Sequence, residues 1–177
     1  MRSTVRGLAV ALVLWGVAPE CARAQAPDVS TRLDALEARE AIRTLWADYG
    51  RLLDDRNFTA FGQLFARDGE FVGGAGATAK GPDAIGALLE KLLGTNFPNS
   101  RGRNMHVYFN ESIDVRGNQA SGVTRGGFLV ANTANKPEIS IMATYRDSFV
   151  RENGRWKFQR REIITDIPVP RAASATP

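Results

Sequence analysis

The chain is poor in the residues that make most sites easy to read. Its 177 residues include one cysteine and one histidine. It has no apolar run near the ~20 residues that span a bilayer as a helix. The cysteine, Cys21, sits in a stretch with the character of a signal peptide. Arg2 and Arg6 open it, an apolar run from Leu8 to Val17 follows, and small residues end it in Ala22-Arg23-Ala24 and Ala24-Gln25-Ala26. Residues 1–24 are therefore expected to be removed, with Ala24 or Ala26 preceding the cut, and the mature protein to be periplasmic or secreted. An uncleaved anchor is the alternative. Cys21 lacks the preceding Leu and small residues of a lipoprotein site, so no lipid attachment is expected.

Loss of the leader takes Cys21 with it. The mature chain then has no disulfide, no thiolate nucleophile and no cysteine metal site. A single histidine also disfavours a His-rich zinc site, and no cofactor is expected. The leader carries Arg2, Arg6, Arg23 and Glu20, so the net charge falls by two from +4. A domain so mildly basic lacks the concentrated positive face that nucleic acid requires. The expected partners are a small-molecule substrate or ligand and a second or third copy of the chain (a homodimer or homotrimer), with no membrane contact after cleavage.

What is present is a change of hydrophobic period. Asp28 and Ser30 offer caps for a long helix whose apolar positions, among them Leu33, Leu36, Ile42, Leu45 and Leu53, step by three and four. A shorter helix follows from Phe58, capped by Asp55 or Asn57, with Asp55 preferred. "RDGEFV" reads as a turn into a short strand and "GGAGATAKGP" as a flexible loop. Pro82 opens a third helix that Gly94 stops. Four strands are then predicted over 105–115, 119–131, 139–151 and 155–166, with a bulge or sharp bend at Gly126-Gly127 and an Asn153-Gly154 hairpin turn. This order predicts one α+β domain over residues 28–167, three helices packed in a curved mixed or antiparallel sheet, with a loose tail over 168–177. A cone of this kind has an open mouth, a natural small-molecule pocket.

Several phrases recur here in a known order: "AIRTLWADYGRLLDD", "FGQLFARDGEFV", "GPDAIGALL", "HVYFNESIDVRGNQASG" and "YRDSFVRENGRWKFQRREI". Over residues 32–166 the chain resembles the SnoaL-like branch of the nuclear transport factor 2-like superfamily. Within it the chain looks most like the lyases, the scytalone dehydratase and bile-acid 7α-dehydratase-like branch and the hexachlorocyclohexane dehydrochlorinase. The resemblance implies a cone-shaped fold and a proton-abstracting histidine oriented by an aspartate, which here fall on His106 and Asp54. It also implies a tyrosine five residues before the aspartate, Tyr49. The second histidine of scytalone dehydratase has no counterpart in "GGFLVANTA".

The residues can be weighed on their own chemistry. Neutral imidazole is a competent base near pH 7, and a carboxylate on its other nitrogen fixes the tautomer. Strand alternation puts His106, Tyr108 and Asn110 on one side and Val107, Phe109 and Ile113 on the other. On that count the apolar side is core and His106 faces either a pocket or solvent. Either Asp54 or Asp55 serves the dyad, with Asp54 preferred. Tyr49 and Trp46 lie on the helix stripe, as core residues that also edge a pocket. Asn110 either orients His106 or pairs with backbone. Arg125 is either inside the cone, facing Asp54 or an anionic substrate, or simply exposed. Arg155, Lys157, Arg160 and Arg161 read as a solvated basic edge. The expected catalytic set is thus His106, Asp54 and Tyr49, with Trp46, Tyr108, Asn110 and Arg125 as substrate contacts. Together they describe an exported, cofactor-independent lyase or isomerase for a small, largely apolar, cyclic or acyclic substrate. The alternative is a non-catalytic ligand-binding or dimerisation module.

Overall fold

The computed structural model describes residues 28–94 and 104–167. The leader, the polar segment 95–103 and the tail lie outside the described residues. Helix α1 (Val29–Asp54) begins where the Asp28 carboxylate accepts the Thr31 N–H at 2.9 Å. Its early apolar residues Val29, Leu33 and Leu36 are exposed, and burial starts at Ala38. From there Ile42, Leu45, Trp46, Tyr49 and Leu53 form the buried stripe.

The second helix is shorter than expected. It covers only Phe58–Gly62 (α2), because Phe65 already enters strand β1 (Phe65–Val72). Its cap is Asn57, whose side chain accepts the Ala60 N–H at 3.2 Å. Asp55 instead closes α1, donating its N–H to Arg51 O at 2.9 Å. The glycine-rich stretch is a hairpin and not merely a loop. Gly73 N–H donates to Ala77 O at 2.7 Å, and β2 (Thr78–Lys80) returns antiparallel on β1. Pro82 opens α3 (Pro82–Leu89), which loosens into a wider turn over Glu90–Gly94.

Strands β3 (Asn104–Arg116), β4 (Gln119–Ala131), β5 (Pro137–Glu152) and β6 (Arg155–Ile167) form a meander. The six-stranded sheet runs β2-β1-β6-β5-β4-β3, with only the β1–β6 pair parallel. Helices packed on a mixed sheet give the expected α+β class. The core between them holds Ile42, Tyr49, Phe61, Phe65, Phe149 and Phe158. Asn153 and Gly154 both adopt positive φ, as a two-residue hairpin turn requires.

Two bulges decide which residues face that core. In β3 the pairing slips between Phe109 and Ser112, and Asn110 takes φ 54°. The Thr124 hydroxyl donates to Phe109 O at 3.0 Å beside the slip. One extra residue reverses the side of everything after it. His106 and Tyr108 therefore share the inner face with Ile113 and Val115, which simple alternation puts on opposite sides. In β6, Phe158 pairs with Phe149 and Arg160 with Ser148, so Gln159 is the extra residue. Inward positions run Trp156, Phe158, then Arg161. The bulge or bend expected at Gly126-Gly127 is displaced: the slip near it falls on β5 between Ile139 and Ile141. Gly126 serves packing. A Cβ there would lie 2.7 Å from Val107 O, 2.9 Å from Tyr108 Cδ1 and 3.0 Å from Tyr145 Cε2. Its hydrogen makes room for two tyrosine rings.

Candidate active site

Asp54 ends α1 and His106 lies two residues into edge strand β3, 52 positions on. The fold brings them together with Asp54 Oδ1 2.6 Å from His106 Nδ1. A carboxylate only accepts, so Nδ1 carries the proton and Nε2 is the nitrogen left with a lone pair. The same carboxylate accepts the His106 backbone N–H on Oδ2 at 2.9 Å and the Asn104 side-chain amide on Oδ1 at 2.7 Å. Asn104 is itself held by Arg56, whose Nη2 donates to its Oδ1 at 2.9 Å while Nη1 donates to Leu53 O at 2.7 Å. Two donors, the His106 backbone N–H and the Asn104 amide, thus fix the carboxylate, and the carboxylate fixes the ring. Sequence reasoning missed Asn104 and Arg56. Asn104 sits two residues before His106 on the same strand face, the one local signal available.

Both side chains are mostly shielded, at 10 % exposure for His106 and 21 % for Asp54. The Phe128 ring packs on the imidazole at 4.7 Å between centroids. Gly50 lets α1 approach, since a Cβ there would meet His106 Cβ and Tyr108 Cε2 at 3.1 Å each. The dyad lines an open cavity of about 610 Å³ between α1 and β3, with Trp46, Gly50, Asn104, Met105 and Tyr108 in its walls. An ion pair between Arg43 and Glu111 bridges helix and strand at its rim.

The other expected site residues divide. Trp46 and Tyr108 line the cavity. Tyr49 is 2 % exposed and packs edge-on against His106, Tyr108, Phe61, Tyr145 and Phe158. Asn110 and Arg125 are not brought to the site. Asn110 is spent on the β3 bulge and exposed, and Arg125 is exposed on β4 opposite Phe109.

The residue that departs most from expectation is Arg161, read as part of a solvated edge. The β6 bulge turns it inward, and its exposure is 0 %. Its Cζ lies 3.9 Å from the Tyr49 ring centre, 4.4 Å from Tyr145, 4.8 Å from Phe158 and 5.7 Å from Tyr108. Asp147 is the counter-charge, with Oδ1 3.5 Å from Arg161 Nε. Trp46 Nε1 donates to Asp147 Oδ2 at 2.7 Å. Burial pushes the Asp147 carboxyl up to about 6, against the pull of Arg161 and the Trp46 bond. Burial likewise raises the Tyr49 and Tyr108 phenols, with Arg161 opposing it.

The chemistry open to this arrangement is proton transfer at a shielded imidazole on the wall of a cavity. Known proteins fit the same frame. A family model for the SnoaL-like domain matches residues 34–162. The gamma-hexachlorocyclohexane dehydrochlorinase of Sphingobium indicum is 29 % identical over 142 residues, 79 % of this chain and 88 % of that protein. An NTF2-like protein with a cystatin-like fold from Novosphingobium aromaticivorans superposes with a TM-score of 0.72 at 28 % identity, over 82 % of this chain and 94 % of its own. The crystal structure of LinA superposes with a TM-score of 0.67 at 25 % identity, over 83 % of this chain and 99 % of that one.

Proposed function

This chain belongs to the SnoaL-like domain family, and from that premise we propose that it is an exported, cofactor-independent lyase or isomerase working through His106 and Asp54. The single observation that carries the reading is the 2.6 Å contact between Asp54 Oδ1 and His106 Nδ1 on the wall of a cavity. His106 Nε2 takes a proton from substrate carbon. Asp54 keeps the proton on Nδ1 and favours the imidazolium that forms. The electron pair left on carbon then expels a leaving group, which is elimination, or is reprotonated elsewhere, which is isomerisation. Trp46 and Tyr108 give the cavity an aromatic wall suited to a small apolar or cyclic compound. Similarity to a dehydrochlorinase supports the elimination branch. A binding module has no need of a carboxylate held by two further donors against an imidazole, which favours the enzyme.

Export rests on the leader-like residues 1–24. Assembly as a homodimer or homotrimer is supported by the exposed Met105, Ile139 and Ile167.

The test is turnover of a panel in heavy water. It contains hexachlorocyclohexane isomers, followed by chloride release, and cyclic β-hydroxyketones, followed by enone absorbance. The expected result is elimination or hydrogen exchange at carbon that His106→Ala reduces by about 10²–10⁴-fold. Equal turnover by His106→Ala would end the proposal.

A further inference from the structure

Helix α1 runs out beyond the core that holds it. All of residues 29–37 except Ala35 are exposed, and the first buried side chain is Ala38. These opening turns are nonetheless firmly started. The Asp28 carboxylate accepts from the Thr31 N–H, the Ser30 hydroxyl and the Thr31 hydroxyl. A stretch of helix this short holds in water chiefly through an apolar face packed against something. Such a face is present. Val29, Leu33 and Leu36 follow one another at steps of four and three, and they are 77 %, 52 % and 61 % exposed. They lie on the side of the helix away from Ala38, Ile42 and Leu45, which face the core. Nothing among the described residues covers them.

The charges beside this face select what covers it. Helix neighbours three and four apart share a side, so Arg32 and Arg39 run along one flank of the stripe and Glu37 lies on the other. Arg32 and Glu37 are both exposed, and neither side chain has an ion pair among the described residues. We propose that the stripe pairs with the same stripe of a second copy, the two α1 helices lying side by side and parallel about a two-fold axis. In a parallel pair built on this spacing, one flank of each helix meets the opposite flank of the other. Arg32 of one copy then meets Glu37 of the second copy, and the symmetry makes that contact twice. Antiparallel pairing would set Arg32 and Arg39 against the same arginines of the second copy. The seam ends at Glu40 and Arg43, the next positions at the same spacing, which are charged; Arg43 is tied to Glu111 of its own β3. Three apolar side chains per copy make a small contact, so the pairing is reversible and concentration-dependent. It is separate from the sheet residues Met105, Ile139 and Ile167 and independent of the chemistry at His106. Because the helices run parallel, the Asp54 ends and the cavities beside them lie at the same end of the pair.

Cross-linking at position 36 reads this geometry, since a residue in the seam of a parallel two-fold pair meets its own counterpart. The full chain is made with Cys21→Ser, so that Leu36→Cys supplies the only thiol. Oxidation should give a disulfide-linked dimer, and Asp34→Cys, which points off the seam, much less of it. Adding Arg32→Glu or Glu37→Arg to Leu36→Cys sets like charges together and should slow the cross-linking about tenfold. Both changes in one chain should restore it, and so should mixing the two charge-reversed proteins. All these positions are exposed, so the variants should keep the Tm of the parent. Sedimentation gives a second reading without thiols. In Ile139→Lys, which breaks a sheet-face contact, the concentration-dependent mass should still fall when Leu33→Ser is added. Equal cross-linking through Leu36→Cys and Asp34→Cys overturns the proposal, as does cross-linking that charge reversal leaves unchanged. A mass indifferent to Leu33→Ser in the Ile139→Lys background overturns it too, and is the result expected if a membrane, the leader or another protein covers the stripe.

Discussion

Replacing Asp54 by Asn changes one atom, and the structure dictates what that atom does. The carboxylate accepts from His106 Nδ1 at 2.6 Å, from the Asn104 amide at 2.7 Å and from the His106 backbone N–H at 2.9 Å. Asparagine offers one accepting oxygen and one donating NH2. If the NH2 faces the His106 backbone N–H, two donors meet in a shielded place, at a cost of about 1–3 kcal/mol. The other orientation keeps that backbone bond and turns the NH2 toward Nδ1 and the Asn104 amide, which must then turn its own NH2 away. Nδ1 must then accept, and the ring proton moves to Nε2. An Nε2 already bearing hydrogen cannot take one from carbon. The expected loss in kcat is about 10⁴-fold, as for a triad whose aspartate becomes asparagine. The lone histidine makes the cause visible without a substrate. In a 15N-edited NMR spectrum of the neutral ring, wild type should show its proton on Nδ1 and Asp54→Asn on Nε2. A wild-type ring protonated on Nε2, or the same tautomer in both proteins, would refute the reasoning.

Three more outcomes follow from the geometry. Trp46→Phe removes a buried bond to a carboxylate at 2.7 Å and should destabilise by about 1.5–3 kcal/mol in urea unfolding; a change under 0.5 kcal/mol would contradict it. Gly126→Ala drives a methyl into Val107 O and the Tyr108 and Tyr145 rings, and should cost about 1–3 kcal/mol while disturbing Tyr108, read as lowered Tm together with an altered near-ultraviolet spectrum. Asp147 supplies a pH dependence. Its carboxyl stands at about 6 when folded, against 3.8 ordinarily, so the folded state holds a proton that the unfolded chain has released. Stability of wild type relative to Asp147→Asn should therefore fall as pH rises from about 4 to about 6, by roughly 3 kcal/mol; a constant or rising difference across that window would show the carboxylate to be well solvated or fully paired.

The elements were largely legible in the sequence because each rests on a local signal. The Asp28 cap, the helical spacing of Ile42 to Leu53, Pro82 and the Asn153-Gly154 turn all act within a few residues. Asp54 and His106 were legible through the phrases shared with the family, not through spacing, since their contact is made across 52 positions. What alternation misplaced has one physical cause. A bulge changes the side of every later residue in its strand, and nothing in "FNES" or "KFQRR" announces one. The β3 bulge sets His106 on the face of Ile113, where simple alternation opposes them. The β6 bulge takes Arg161 from the predicted solvated edge into the aromatic core, while Arg160 stays on the surface with Glu70 and Glu162. Asn110 was expected beside His106 for the same reason and is spent on the bulge itself. The cap of α2 went to Asn57 and not Asp55 because the chain needs two residues to turn out of α1.

The central claim is that Asp54 and His106 act as one unit, and turnover of a double-mutant cycle tests it most directly. With Asp54→Ala, His106→Ala and the double variant assayed on the same substrate, the double should lose no more activity than His106→Ala alone, because an aspartate has nothing to orient once the imidazole is gone. Losses that multiply across the two positions would mean that each residue acts by itself, and the dyad would have no part in the chemistry.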